Sequence, residues 1–237
     1  MDLPQPLTEG RLVRRYKRFL ADVELAGGEV VTVHCPNPGR MAGLDAAGAR
    51  VWLKPAPAGR KLPFGLELVE ADGVWVGINT GHPNGLVREA LALGAIAELR
   101  GYASVRAEVR YGSERSRIDF LLEDPGRPPC WVEIKNVHWK VGRFARFPDA
   151  VTSRGAKHAR ELAARVSIGE RAVLLYVIQR EDCEVFGLAD RTDPAYAAAC
   201  RQAKAAGVEI LAYACAVRPD TIRLERPLPV DLQAPED

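Results

Sequence analysis

Apolar and polar residues alternate along the first eighty residues, and this period of two is typical of short, half-buried strands. Gly27-Gly28 and Asp72-Gly73 supply turn signals between successive segments. The alternation predicts five strands, at residues 19–25, 29–34, 49–54, 65–70 and 74–78. Five short strands with connections rich in Gly and Pro favour a small β-barrel, for which an OB-like barrel is one candidate.

Beyond residue 82 the pattern changes to a mixture of helices and strands. Helical spacing predicts helices at 84–99, with Asn84 as N-cap, at 149–166 and at 194–206. Strands are predicted at 105–111, 117–122, 131–136, 172–178 and 209–214. This order predicts an α/β (α+β) sandwich with a mixed sheet. We therefore expect a barrel domain at 1–82, an α/β domain at 83–230 and a disordered tail at 231–237.

The composition is that of a soluble globular chain, because 47% of its 237 residues are hydrophobic and 27% are charged. No apolar run reaches the roughly 18 residues of a membrane span, and the first residues lack the basic start and apolar core of a secretory signal. Five scattered cysteines indicate reduced thiols rather than disulfides or zinc ligands. We expect a cytoplasmic protein with no membrane partner. Its oligomeric state stays open, with a dimer as one option.

Two of the predicted strands each carry an acid in mid-strand, where an unpaired charge is costly. Asp119 lies within 117–122 and Glu133 within 131–136, and the residues between them are rich in Pro and Gly. A hairpin folded symmetrically about Gly126 places the two acids opposite each other, with Cβ atoms roughly 4.5–5.5 Å apart. Lys135 follows Glu133 by two residues and therefore shares its face.

This arrangement has the form D-(x)n-E-x-K and predicts a metal site. Asp119 and Glu133 would hold Mg²⁺ (or Mn²⁺), with the carbonyl of Ile134 as a further ligand. Lys135 would orient the water that attacks a phosphodiester, or stabilise charge on the phosphate. The alternative is an ion pair between Glu133 and Lys135 on an edge strand, with Asp119 solvated, because E-x-K alone is a common pattern.

Two further side chains are candidate catalytic residues. Glu89 lies on the helix before the hairpin and could lean toward the metal as an orienting carboxylate. Gln179 ends the buried strand 172–178, where polar side chains often face a site. The alternatives are a surface acid at the edge of an amphipathic helix and an ordinary strand end.

Basic residues suit a polyanionic partner, since residues 134–166 hold eight Lys or Arg against two acids. On the helix after the hairpin, Arg154, Lys157, His158 and Arg165 fall on one stripe that could contact phosphates. His158 is also a weaker candidate for a general base. Within 11–19, Arg15, Lys17 and Arg18 alternate with aromatic residues, as on surfaces that track a nucleic-acid backbone. Solvated helix and strand faces are the alternatives in both places.

Taken together, these segments resemble the sugar fermentation stimulation protein family of prokaryotes, over nearly the whole chain. The matching blocks are 15–22, 36–41, 116–120, 132–137 and 147–158. The resemblance implies an N-terminal OB-fold domain, a C-terminal PD-(D/E)XK nuclease-like domain and DNA binding, with a role in regulating sugar-utilisation genes. In the loop at 36–41, Asn37 matches the family pattern. Pro38 and Arg40 replace a Thr and a Ser, and Arg40 could substitute for a lost ligand contact by its charge.

The sequence therefore predicts a DNA-binding protein with a Mg²⁺-dependent, nuclease-type site, in which Asn37 and Arg40 join the basic residues in binding nucleic acid. RNA stays open as the alternative nucleic acid. The main alternative function is a non-catalytic DNA-binding regulator of sugar-utilisation genes. A third is hydrolysis of a small phosphorylated metabolite.

Overall fold

The fold is a small barrel followed by a three-layer α/β unit, seen in a computed structural model that describes residues 1–112 and 116–235. The strands of the barrel unit are β1 (Thr8–Tyr16), β2 (Leu20–Leu25), β3 (Val30–His34), β4 (Arg50–Pro55), β5 (Phe64–Ala71) and β6 (Val74–Gly77). The second unit contains α1 (His82–Ala92), β7 (Ser104–Tyr111), β8 (Ser116–Asp124), β9 (Arg127–Val137), β10 (Trp139–Val141), β11 (Phe144–Phe147), α2 (Ser153–Val166), β12 (Arg171–Ile178), β13 (Val185–Leu188), α3 (Pro194–Ala205), β14 (Glu209–Val217), β15 (Ile222–Pro227) and β16 (Val230–Asp231).

The barrel has the predicted OB-like architecture, and β1 is a strand that the alternation did not predict. Its order is β3-β2-β1-β4-β5-β6, and a parallel contact between His34 and Gly65 joins β3 to β5 and closes it. Inward-facing apolar side chains fill the interior, among them Leu12, Val23 and Leu53. The sequence pattern did not reveal β1, because the buried Leu12 on its inward-facing side lies between exposed neighbours.

The second unit is built on a mixed six-stranded sheet, as expected. Its order is β15-β14-β12-β9-β8-β7, with parallel pairing of β12 to both β9 and β14 and antiparallel pairing elsewhere. Helices α2 and α3 cover one face of the sheet, and α1 packs against the other. No helix among the described residues is long and apolar enough to cross a membrane. All five cysteines are buried, and none forms a disulfide.

The hairpin of β8 and β9 keeps the predicted register through a different turn. The ladder pairs Phe120 with Val132 and Leu122 with Cys130, as symmetry about Gly126 requires. The turn itself is shorter, because Asp124 pairs with Arg127 and a bulge restores the register. The Asp124 carboxylate accepts the Gly126 N–H at 2.8 Å, which stabilises this tight turn.

The segment 231–235 is ordered, so the expectation of a disordered tail from 231 onward was wrong for these residues. β16 pairs with β13 in a small sheet of order β10-β11-β13-β16, which the sequence did not predict. Leu232 and Ala234 are buried, and the fully buried Arg146 donates to the carbonyls of Ala234 and Pro235. Buried apolar contacts and a buried guanidinium therefore hold the tail. Residues 236–237 lie outside the described residues.

Helix boundaries differ from the predicted ones where side chains make tertiary contacts. α1 begins at His82 with Pro83 in its first turn, and Asn84 does not cap it. α2 begins at Ser153, because the side chain of Thr152 accepts the Gly155 N–H at 3.1 Å and caps the helix.

Candidate metal centre and nucleic-acid interface

The two acids lie where β8 and β9 separate. Their ladder pairs stop at Phe120 and Val132, one residue before Asp119 and Glu133. Beyond that point the backbone of β9 bonds to a side chain of β8, because the Ile134 N–H donates to Oδ2 of Asp119 at 2.7 Å. Strand divergence thus opens a small space lined by the two carboxylates.

Glu133 is buried and only half satisfied. Its Oε1 is 2.7 Å from the Lys135 ammonium and also contacts Nδ1 of His158. Its Oε2 is buried without a hydrogen-bond partner among the described residues. A buried carboxylate oxygen without a donor is costly, and a bound cation is one way to satisfy it. This orphaned oxygen is the strongest sign of a ligand at the site.

His158 acts on Glu133 rather than on a phosphate. Nε of Arg154 donates to Nε2 of His158 at 3.3 Å, so this ring nitrogen is the acceptor. Nδ1 then carries the hydrogen and donates to Glu133. His158 is buried, with 3% of its surface exposed, so it cannot belong to a phosphate-contacting stripe. The sequence predicted that His158 binds nucleic acid, whereas in the structure it contacts and positions Glu133.

The two acids differ in their electrostatic surroundings. Burial raises the pKa of Asp119, and the charge of Glu133 raises it further, against the hydrogen bonds from Ile134 and Asn84. Burial also acts to raise the pKa of Glu133, but His158 and Lys135 outweigh it and leave that pKa lowered. Glu133 is therefore held ionised, whereas burial and the charge of Glu133 disfavour the ionised form of Asp119.

The donor set suits a hard cation bound at an open site. Among the described residues, no three His, Cys, Asp or Glu side chains come together as a closed metal site. The available ligands are the carboxylates of Asp119 and Glu133, and the backbone at Ile134 lies beside them. Mg²⁺ commonly binds through one or two carboxylates and keeps several waters, so the residues fit that ion.

Glu89 and Gln179 lie outside this cluster, contrary to the catalytic roles predicted for them. Glu89 pairs with the N-terminal amine and, at 3.0 Å, with Arg223 on β15, at the opposite edge of the sheet from the β7–β8 side. Gln179 is buried at the junction of the two units, where its amide donates to the Asn79 carbonyl at 3.2 Å and to Asn136 at 2.7 Å. Both side chains therefore bind other segments of the protein: Glu89 binds the N-terminus and β15, and Gln179 binds Asn79 and Asn136.

Two predicted nucleic-acid residues, Arg15 on β1 and Asn37 in the barrel loop at 36–41, make hydrogen bonds within the barrel. The guanidinium of Arg15 donates to the carbonyls of Asn37, Gly39 and Arg40, so it holds the loop rather than a phosphate. Asn37 is buried, and its amide donates to the Ile78 carbonyl at 3.1 Å. Their predicted contacts with nucleic acid are therefore replaced by contacts within the protein.

The other basic candidates reach solvent. Lys17, Arg18, Arg40 and Arg154 are exposed, and Lys157 is half-buried. The loop that carries Arg40 docks on the second unit, because the Met41 N–H donates to Asp149 at 3.0 Å. Arg40 and Arg154 thus lie on segments that meet near the start of α2.

Two residues near the site were missed from the sequence. Asn84 on α1 donates to Oδ1 of Asp119 at 2.9 Å. Tyr111 stacks on Trp131 with ring centroids 5.2 Å apart, and its buried hydroxyl has no partner among the described residues. Arg165, predicted as part of the basic stripe, lies over the Trp131 ring at 4.6 Å. A polar residue at a helix start was the only sequence signal for Asn84, and it suggested a cap.

Comparisons with known proteins identify the family. Residues 13–78 match the SfsA N-terminal OB domain, and residues 81–221 match the sugar fermentation stimulation protein RE domain. A sugar fermentation stimulation protein homolog of Geobacter metallireducens is 58% identical over 98% of this chain and 100% of its own. Another, from Maricaulis maris, is 56% identical over 98% of this chain and 99% of its own.

A solved structure is also similar over nearly the full length. It is titled as the SfsA of Pyrococcus furiosus in complex with Ca²⁺, and it covers 98% of both chains with a TM-score of 0.86 and 26% identity. With both domains matched and relatives above half identity, this chain belongs to the sugar fermentation stimulation protein family.

Proposed function

We propose that this protein binds DNA and hydrolyses its phosphodiester bonds with a divalent cation, Mg²⁺ or Mn²⁺, held by Asp119 and Glu133. The observation that carries the proposal is the buried, unpartnered Oε2 of Glu133 beside the carboxylate of Asp119. A buried acid beside a half-buried one at a point of strand divergence is costly unless cations balance the two charges.

The solved relative supports a divalent cation in this family. The Pyrococcus furiosus protein was determined in complex with Ca²⁺. Ca²⁺ and Mg²⁺ both take carboxylate, carbonyl and water oxygens, and Asp119 and Glu133 supply the carboxylates. Ca²⁺ therefore serves as a probe of the same site in the experiments below.

The residues of the site have distinct roles in this proposal. A divalent cation bound there would polarise a phosphoryl group and lower the pKa of a bound water. The Lys135 ammonium, 2.7 Å from Glu133, lies at the edge of the site and would stabilise charge that develops on the phosphate. His158 holds Glu133 ionised and oriented, and Asn84 orients Asp119.

The exposed basic residues give the proposed DNA path. Arg40 on the barrel loop and Arg154 on α2 lie on segments joined through Asp149, so their charges extend from the barrel toward the site. Arg154 reaches the site itself through His158. Guanidinium groups bind phosphates with two parallel hydrogen bonds, which suits a sugar-phosphate backbone.

Cleavage of DNA by the purified protein tests the proposal. We expect wild-type protein with Mg²⁺ or Mn²⁺ to nick plasmid or cut single-stranded DNA, and EDTA to abolish the reaction. Asp119→Asn should lower the rate at least about 100-fold, since it removes a proposed ligand. Glu184→Gln, at an exposed acid just before β13, is the matched control and should cut normally. No cleavage by wild type, or full cleavage by Asp119→Asn, would refute hydrolysis.

A non-catalytic DNA-binding regulator is the second candidate, and two contacts to Glu133 favour it. Lys135 and His158 both already contact Oε1 of Glu133, so internal partners neutralise part of the site. Lys135→Ala separates the two functions. If that variant binds DNA as wild type does and wild type cuts nothing, the regulator function is supported. A loss of cleavage with unchanged binding supports hydrolysis.

A further inference from the structure

A pocket on the barrel, apart from the carboxylate site, combines basic and apolar side chains. It has a volume of about 470 Å³ and lies between the end of β3, β4, the start of β5 and the loop that joins β4 to β5. That volume is within the usual range for small-molecule pockets. Its lining includes Lys54, Pro57, Arg60, Lys61, Leu62 and Phe64.

The pocket is positively charged. No acidic side chain lines it. Lys54 is ion-paired with the buried Glu67, so its charge is largely neutralised. Arg60 and Lys61 are exposed, and neither has an ion pair within the described ranges 1–112 and 116–235. The unneutralised charge thus lies on the loop, above an apolar floor.

That floor is formed by Leu62, Phe64 and Pro57, and both Leu62 and Phe64 are only half-buried. An aromatic ring beside two cations is the combination that binds an unstacked base together with its phosphate. A free inorganic anion would need no apolar floor. In a continuous duplex, each base is stacked between its neighbours and cannot enter a concave pocket.

A chain of contacts fixes this pocket relative to the carboxylate site. Glu67 contacts Lys54 on the pocket side, and its other oxygen is 3.2 Å from Nε2 of His82. His82 is the first residue of α1, and two residues later Asn84 donates to Asp119 at 2.9 Å. The pocket is therefore linked to the proposed metal ligands through Glu67 and α1, and one bound strand could contact both places.

We infer that this pocket takes one unstacked nucleotide of the bound strand, with its base against Phe64 and its phosphate between Arg60 and Lys61. The nucleic acid that engages both places is therefore single-stranded or frayed there. The inference rests on the proposed function for its choice of nucleic acid, but it concerns binding alone and involves no bond cleavage.

Fluorescence anisotropy with labelled oligothymidylate and with a hairpin duplex tests the inference, in Ca²⁺ and without Mg²⁺. Removing the phosphate contact of this pocket in Arg60→Ala/Lys61→Ala should reduce the magnitude of the slope of log K against log salt by about 0.7 for the single strand. The matched control, Arg143→Ala/Lys204→Ala, removes two exposed charges elsewhere and should leave that slope unchanged. An equal fall of the slope in the control would overturn the pocket.

Phe64→Leu separates base stacking from general electrostatics. It keeps an apolar side chain on the floor, so the barrel should fold, which an unchanged melting temperature verifies. We expect single-strand affinity to fall about fivefold and duplex affinity to stay unchanged. Equal losses for both probes, or no loss for the single strand, would overturn the unstacked nucleotide.

These outcomes are independent of hydrolysis. If wild type cuts no DNA but Arg60→Ala/Lys61→Ala and Phe64→Leu weaken single-strand binding as described, the proposed reaction fails and the pocket stands. If cleavage depends on Asp119 but the pocket variants bind like wild type, the reaction stands and the pocket is refuted.

Discussion

Asp119→Asn should stabilise the protein without metal and abolish its stabilisation by metal. The ionised Asp119 carboxylate is unfavourable in the metal-free protein, since burial and the charge of Glu133 raise its pKa. Asparagine has the same shape and can still accept the Ile134 N–H, while the Asn84 amide can turn to meet the new NH₂ group. The substitution therefore removes a like-charge repulsion and leaves the hydrogen bonds in place.

The size of both effects follows from the site. Relief of one like-charge contact is worth about 1 kcal/mol, and in a chain of this size each kcal/mol shifts the melting temperature by about 2–4 °C. Ca²⁺ at about 100 times its Kd adds about 2.7 kcal/mol to wild type. That gain corresponds to a rise of about 5–11 °C, which Asp119→Asn should lose.

Differential scanning fluorimetry with Ca²⁺ and with EDTA measures both quantities on the same samples. Glu184→Gln, at an exposed acid with a 3.8 Å ion pair to Arg143, should behave as wild type in both buffers. A lower melting temperature for Asp119→Asn in EDTA would show that its carboxylate is structural. A Ca²⁺ shift that survives the substitution would place the cation elsewhere.

Other predictions concern the scaffold and are checked by chemical denaturation. Thr152→Ala removes the cap of α2 and should cost about 1 kcal/mol. Leu162→Ala opens a cavity beneath the same helix and should cost about 3 kcal/mol, whereas Leu93→Ala, at a residue 72% exposed, should cost under about 0.5 kcal/mol. Asp182→Asn removes the carboxylate that binds the fully buried Arg180 and should cost about 2 kcal/mol at pH 7, after allowance for partial exposure. Burial acts to raise the pKa of Asp182, but Arg180 and Lys140 outweigh it and lower that pKa, so the stability it contributes is present above about pH 4 and is lost as pH falls through the folded pKa. The cost of Asp182→Asn should therefore shrink toward zero in acid, and a cost that does not change with pH would contradict this assignment.

Local periodicity was sufficient to predict the central features of the fold. Strand alternation fixes which residues share a face, so the register of Phe120 with Val132 followed from the two apolar runs and their turn. The turn could change without moving that register, because the bulge before Asp124 compensates for one residue. Strand alternation also predicted that Asp119, Glu133 and Lys135 share one face. They were chosen as a candidate site because charged residues in the middle of core strands are rare.

Long-range contacts account for what the sequence did not reveal. Asn84 and Asp119 are 35 residues apart, and no local pattern connects them. From the sequence, Arg15 was predicted as an exposed phosphate ligand. In the structure its guanidinium donates to carbonyls of the loop at 36–41. Helical spacing likewise predicted His158 as part of the basic stripe. In the structure it is buried and contacts the carboxylate of Glu133 on β9. In each case a polar side chain satisfies a buried partner that only the tertiary fold provides.

Calorimetric titration with Ca²⁺ tests the central claim most directly, because it measures cation binding without DNA or turnover. Wild type should bind one Ca²⁺ per chain. Glu133→Gln should abolish the binding heat, since it removes the negative charge of a carboxylate whose Oε2 has no hydrogen-bond partner among the described residues. Glu89→Gln, at a partly exposed acid paired with Arg223, should bind Ca²⁺ as wild type does. Binding that persists unchanged in Glu133→Gln would contradict the metal site.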